Sequence, residues 1–152
     1  KKDGRRIAPK SRGLGEMYKR HTPASADLAT GAPGRTASAR LGIVQVTDDR
    51  GGLAGWTATV SSTDFTTGSG TAAKTIPVDN ILYSITGFAS TTGSATFTWT
   101  PGTNLSTALQ AVAQATNVHG NNSATWNPSI QVAVPSGAVT GTYSAIITHS
   151  VS

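Results

Sequence analysis

Apolar residues fall at every second position in several short runs of this chain, and small polar residues fill the positions between them. In "WTATVSS", Trp56, Ala58 and Val60 lie on one side, with Thr57, Thr59 and Ser61 on the other. "ATFTWT" sets Ala95, Phe97 and Trp99 against Thr96, Thr98 and Thr100. "SIQVAVP" aligns Ile130, Val132 and Val134 until Pro135 stops the run. In "TYSAIITHSVS", Tyr143, Ala145, Ile147, His149 and Val151 share a side opposite Ser144, Ile146, Thr148 and Ser150. Successive side chains leave a strand on opposite faces, so this alternation predicts half-buried strands. Thr suits the outward face because it is both β-branched and polar. The stretches "DDRGG", "TTGSG", "TTGS", "HGNN" and "SGAVTG" separate the runs and read as turns. Pro33 and Gly34 supply a fixed and a permissive φ in "TGAPGRTASA". The pattern predicts an all-β domain, an antiparallel β-sandwich of Ig-like or jelly-roll-like type.

One segment reads two ways. In "NLSTALQAVAQATN", residues 104–117, Leu105, Leu109 and Val112 have helical spacing behind a cap at Asn104. Its Ala and Gln content also favours helix. Leu109, Ala111 and Ala113 alternate weakly, however, and every neighbouring run is a strand, so the strand reading is preferred.

Charge divides the chain. Residues 1–40 hold ten of the 12 Lys and Arg but three of the seven acids, a balance of +7, and the remainder carries two basic and four acidic residues, a balance of −2. Residues 1–22 read as a flexible basic arm, since they offer too little apolar surface to repay the entropy of ordering. Residues 23–152 form the sandwich, one domain by length. The arm suits an anionic partner such as nucleic acid, a teichoic-type polymer or a membrane surface, or it is a leader without a role. No run approaches the roughly 20 apolar residues of a membrane span. No signal peptide is visible at the start. The absence of cysteine excludes disulfides, thiolate metal sites and Cys nucleophiles.

Candidate chemistry is sparse. Trp56, behind the glycines Gly51, Gly52 and Gly55, either stacks on a ligand or fills the edge of a core otherwise made of Ala and Val. The core role is the commoner one. His149 follows an apolar face and reads as a half-buried, hydrogen-bonded histidine, and His21 and His119 add no metal-ligand spacing. Asp48 and Asp49 could offer oxygens to calcium, yet nothing adjacent completes 6–8 ligands. A turn with Arg50 paired to a carboxylate is the simpler reading. Asp64 and Asp79 are isolated, so no glycosidase pair is indicated. Trp99 is expected to pack inward beside Phe97, and Trp126 either caps the sandwich or is exposed. No catalytic constellation, metal set or cofactor motif stands out, and an enzyme is not expected.

Two stretches resemble a known family. "LGIVQVTDDRGGLAGWTATVSSTDF" (Leu41 to Phe65) is similar to the first signature of WxL-type domains of Gram-positive surface proteins, in which an Asp-Arg-Gly turn leads into a Trp-x-Leu strand. "YSAIITHSV" (Tyr143 to Val151) resembles the second, terminal signature. "TIPVDNILYS" and residues 121–152 are similar to the actinobacterial branch, and the likeness runs from about Ala24 to the C-terminus. Ala58 stands at the leucine position of the first motif, while His149 and Val151 stand at the tryptophan and leucine positions of the second. The resemblance implies an extracellular, cell-wall-associated module that binds peptidoglycan, or another surface protein, non-covalently. It implies Trp56, Ala58, Tyr143, His149 and Val151 as the binding positions, and no cofactor. A capsid-like sandwich whose arm packages nucleic acid is the alternative. The near-neutral body provides no basic face to continue such an arm, which disfavours nucleic acid. Oligomeric state is not set by the sequence.

Overall fold

The computed structural model describes residues 18–21, 31–68 and 71–152, the first stretch by its backbone alone. Twelve strands follow one another along the described chain. They are β1 (Tyr18–His21), β2 (Thr36–Arg40), β3 (Val44–Asp48), β4 (Trp56–Ser62), β5 (Phe65–Thr66) and β6 (Thr75–Ile76), then β7 (Ile81–Ser84), β8 (Ser90–Trp99), β9 (Gly102–Asn104), β10 (Gln110–Trp126), β11 (Ser129–Ala133) and β12 (Ile147–Val151). Every pairing is antiparallel. The all-β sandwich expected from the alternation is the fold observed.

The long strand β10 organises the larger sheet. Its first half pairs with β4 and its second half with β3, while β8 pairs with it along nearly its whole length. β12 adds to β4, and β1 adds to β3. The second sheet has the order β2-β11-β7-β9, and β5 pairs with β6 in a small separate ribbon. Two short corners carry the chain between the large sheets. Residues 41–43 lead from β2 to β3, and Asn127 and Pro128 lead from β10 to β11. The corners are tied together: Leu41 N–H donates to the Pro128 carbonyl at 2.8 Å, and Gly42 N–H donates to Asn127 Oδ1 at 3.2 Å.

The alternating faces meet between the sheets. Val44, Val46, Trp56, Ala58, Val60, Ala115 and Trp126 from the larger sheet share one buried cluster with Ile81, Tyr83, Ile130 and Val132 from the smaller. Strand β4 alternates buried and half-buried over its full length, as its sequence requires.

Residues 104–117 contain strand and no helix, in agreement with the preferred reading. Their alternation is not the simple one, because a bulge between Ala111 and Ala113 buries Val112 and Ala113 together and leaves Leu109 and Ala111 exposed. Two expected turns are corrected. "HGNN" lies inside β10 and "TTGS" inside β8, facing each other across shifts in register at Thr116/His119 and His119/Ser123. Asn117, Gly120 and Gly93 take positive φ there, so the turn-prone residues bend a continuous strand pair. The arm was expected to span residues 1–22, whereas the backbone of Tyr18–His21 already pairs with β3. Residues 1–17 and 22 lie outside the described residues.

Candidate functional site

The turn after β3 is built around one carboxylate. Asp48 is buried, and Arg50 grips it bidentately, Nε to Oδ1 and Nη2 to Oδ2, both at 2.7 Å. The Arg50 backbone N–H donates to the same Oδ1 at 3.1 Å. Arg50 Nη2 also donates to the carbonyls of Ala54 and Gly55, each at 3.0 Å, which closes the loop onto its own base. Burial works to raise the Asp48 pKa, but the Arg50 hydrogen bonds and charge, helped by Asn122, outweigh it and leave the carboxyl below its ordinary value. The calcium alternative gives way to the turn, since both oxygens are engaged by Arg50. Gly55 is required by close approach: a Cβ there would overlap the Ala115 carbonyl oxygen of β10.

That loop delivers Trp56 into the core. Its indole N–H donates to Asn122 Oδ1 at 2.9 Å, and Asn122 Nδ2 donates to the Gly120 carbonyl at 3.2 Å. Asn122 sits opposite Asp48 in the β3–β10 register. A buried polar group needs such partners, so Asp48, Arg50, Trp56 and Asn122 form one satisfied unit at the head of β4.

A second unit lies around β12. His149 is buried, and its Nε2 lies 2.9 Å from the Tyr83 hydroxyl. Trp126 Nε1 donates to that hydroxyl at 3.0 Å. An indole N–H can only donate, so the Tyr83 oxygen accepts from Trp126 and shares a further hydrogen bond with His149 Nε2, whose direction follows the imidazole tautomer. This relay spans both sheets: Trp126 and His149 belong to the larger, Tyr83 to the smaller. Burial pushes the Tyr83 phenol well above its ordinary pKa, so it stays protonated and neutral.

The two signature strands are neighbours. β12 pairs with β4 so that Val151 faces Ala58 and His149 faces Val60. The two positions that resemble the family's leucines are thus direct cross-strand partners, one small and one branched. Aromatic contacts join the two polar units. Trp56 lies 6.4 Å from Phe97, Phe97 lies 6.0 Å from Phe88, and Phe88 lies 6.0 Å from Trp126, all tilted or edge-to-face.

Each position singled out in the sequence therefore has a place. Trp56, Ala58 and His149 are buried, and Val151 and Tyr143 are partly buried against the core. The structure brings Ala58, His149 and Val151 together but holds Tyr143 apart, its hydroxyl donating to the Val139 carbonyl at 2.7 Å. Trp126 is fully buried, and Trp99, expected to pack inward, is 40% exposed because it closes the outermost strand β8. Asp49 and Asp79 are exposed and separate, and Asp64 accepts from Val78 N–H at 2.7 Å. Asn122 and Tyr83 were missed. "NNSATW" and "ILYSI" carry the signal, since Asn122 alternates with Ala124 and Trp126, and Tyr83 with Ile81 and Ile85. Among the described residues, no three His, Cys, Asp or Glu gather as a metal set, and no helix is long and apolar enough to cross a membrane.

These features define a β-sandwich module whose two signature strands pair into a single buried unit. The family model described as WxL domain, surface cell wall-binding, matches residues 16–152. The chain belongs to this WxL family of cell-surface, cell wall-binding domains. No curated protein and no solved structure matches it.

Proposed function

We propose that this domain is a non-catalytic module, exported to a Gram-positive surface, that holds its protein non-covalently against peptidoglycan. The observation that carries the reading is the in-register pairing of β4 with β12, which makes one surface from the two motifs. In this reading Trp56, Ala58, His149 and Val151 serve binding by supporting that surface from below, and Tyr143 by fixing the approach to β12. Thr57, Thr59, Ser61, Thr148 and Ser150, all half-buried on the outward side, are what a wall polymer meets. The face is uncharged, which suits a polymer of neutral sugars better than a phosphate backbone.

Co-sedimentation with purified Gram-positive peptidoglycan tests the proposal. The full chain is compared with a variant whose Lys and Arg at positions 1, 2, 5, 6, 10 and 12 are replaced by Ser, and with Thr59→Asp. The expected outcome is that the full chain and the neutralised variant sediment alike, while Thr59→Asp is depleted from the pellet at unchanged thermal midpoint. No sedimentation by any of the three overturns peptidoglycan as the partner and points to another surface protein.

A further inference from the structure

The larger sheet ends at β8, and one side of that strand's backbone is unused. A Cβ on Gly55, at the entry to β4, would meet the Ala115 carbonyl oxygen, so Ala115 turns its main-chain groups toward β4. These groups alternate sides along a strand, so Gln114 and Thr116 turn theirs toward β8, where Thr98 and Thr96 are their register partners. The Thr100 N–H continues the alternation by donating to the Val112 carbonyl at 2.9 Å. The N–H and C=O groups of Ala95, Phe97 and Trp99 therefore point away from β10, along the outer edge of the sheet. Ala95 and Phe97 are half-buried and the other residues of β8 are exposed, and among the described residues no strand pairs with that edge.

A free edge is a template for another strand, and folds usually blunt it with charge, proline or brevity. β9 has three residues and follows Pro101, and β2 ends on Arg40 with Arg35 just before it. β8 has ten residues, and from Ser90 to Thr100 there is no proline and no ionisable side chain. Its one interruption is the bend at Gly93, which leaves Ala95 to Trp99 as the unbroken portion.

That portion is complementary to itself. With two copies antiparallel and a two-fold axis at Phe97, Ala95 faces Trp99 of the second copy, and Thr96 faces its Thr98. The outward main-chain groups of Ala95, Phe97 and Trp99 then all find partners. The small Ala95 leaves room for the indole opposite it, the facing threonines make a favourable cross-strand pair, and no like charges meet. An axis one residue further along sets Ala95 against Pro101, which has no N–H to give. An axis one residue back sets Trp99 against Gly93 at the bend.

We propose that two copies of this chain associate through β8, antiparallel about a two-fold axis at Phe97, as an isologous pair. The two larger sheets then become one. Thr57, Gln114 and Thr98 lie in a row on the outward face, and Thr96 of the second copy extends that row, so the uncharged face assigned above to a wall polymer doubles in width. On the opposite, inward side Trp99 gains cover beside Phe88, which it already meets edge-on at 5.3 Å. A contact of about seven residues a side falls short of the roughly 20–30 of a stable complex. The pair is therefore weak in free solution and is strengthened where copies are held close together on one wall.

Pairing is measured on the full chain without wall material, so its outcome is separate from that of the sedimentation with peptidoglycan. Amide hydrogen exchange is followed by NMR at about 20 µM and at about 1 mM, which brackets weak association. The Phe97 and Trp99 N–H groups are expected to exchange at least about threefold more slowly at the higher concentration, while Thr96 and Thr98, bonded to β10, are protected alike at both. Sedimentation equilibrium over the same range is expected to show the mass rising toward a dimer. Thr96→Lys with Thr98→Lys, both at exposed positions, sets like charges opposite one another across the axis and is expected to weaken the pair about tenfold. Thr96→Lys with Thr98→Glu sets opposite charges there and is expected to restore it. The exchange pattern of the natural chain needs no variant, so it decides even where a substitution unfolds the protein. A chain that stays monomeric at the higher concentration overturns the proposal and leaves the edge to a strand of another protein. A dimer with unchanged exchange at Phe97 and Trp99 also overturns it, placing the contact elsewhere. So does a Lys/Glu variant that pairs no better than the Lys/Lys one, because the axis is then not at Phe97.

Discussion

Two residues show how the motif departures are accommodated. His149 occupies the position that resembles the family's second tryptophan, and its Nε2 is hydrogen-bonded to the buried Tyr83 hydroxyl. An imidazole can give or take a proton at this position, whereas a tryptophan can only donate. The Tyr83 hydroxyl would then face two N–H groups and have no partner able to take its own proton. His149→Trp is therefore expected to destabilise the domain on the order of 3 kcal/mol, from the unmet buried hydroxyl and overpacking together, read from urea unfolding. A neutral or stabilising His149→Trp would mean the relay does not set this position. Asp48 makes a prediction about acid. Its folded pKa is lowered, so the stability it contributes is present above the ordinary carboxylate value of about 3.9 and is lost as pH falls toward the folded value. Asp48→Asn is expected to be less stable at pH 7 and to show a flatter loss of stability below about pH 4 than the natural chain. Parallel pH curves for the two would place the acid sensitivity elsewhere.

At the scale of elements, the decisive feature is the bent pair β8–β10. Gly93 has φ +85°, and a Cβ there would overlap the Asn121 carbonyl oxygen. Gly120 has φ +89°, yet nothing lies within 4 Å of a Cβ placed on it. The two glycines separate conformational strain from close approach. Gly120→Ala is expected to cost about 1–2 kcal/mol, the penalty of the left-handed region for a residue with a Cβ. Gly93→Ala adds a backbone collision to that penalty and is expected to lower the urea midpoint further. Equal midpoints would mean the strands separate freely at the bend. The bend matters for function because it lets one strand, β10, serve β4 with its first half and β3 with its second. Asn122 comes to Trp56 and Asp48 from beyond the bend, so the first motif depends on a strand residue 66 positions beyond Trp56 in the chain.

At the scale of the whole molecule, charge and fold are separate devices. The basic excess lies in residues 1–40, and the remainder carries a balance of −2, so attraction by the N-terminal segment should fade with salt while adhesion by the uncharged sheet face should persist. Repeating the sedimentation at low and high ionic strength distinguishes the two contributions within one protein. The aromatic contacts from Trp56 through Phe97 and Phe88 to Trp126 give the body its coherence, since they tie the two polar units into a single core. The chain has nine Trp, Tyr and Phe residues, and four of them make this connection.

The sequence by itself determined the fold class and the location of both motifs. Period-two alternation is a local property, and "WTATVSS" or "SIQVAVP" can bury one face only as strands. Arg50 pairing with a carboxylate was legible for the same reason, because the partners lie two residues apart. Tertiary structure alone decided which strands are neighbours, and therefore that Ala58 meets Val151, that Tyr83 meets His149 across the sheets, and that Trp99 reaches solvent while Trp126 does not. Alternation tells which side of a strand a residue takes, but it is silent on whether another sheet lies over that side. It also hid the bend, because Gly and Asn signal a positive φ equally well in a turn and in a bulge, and only the partner strand distinguishes the two.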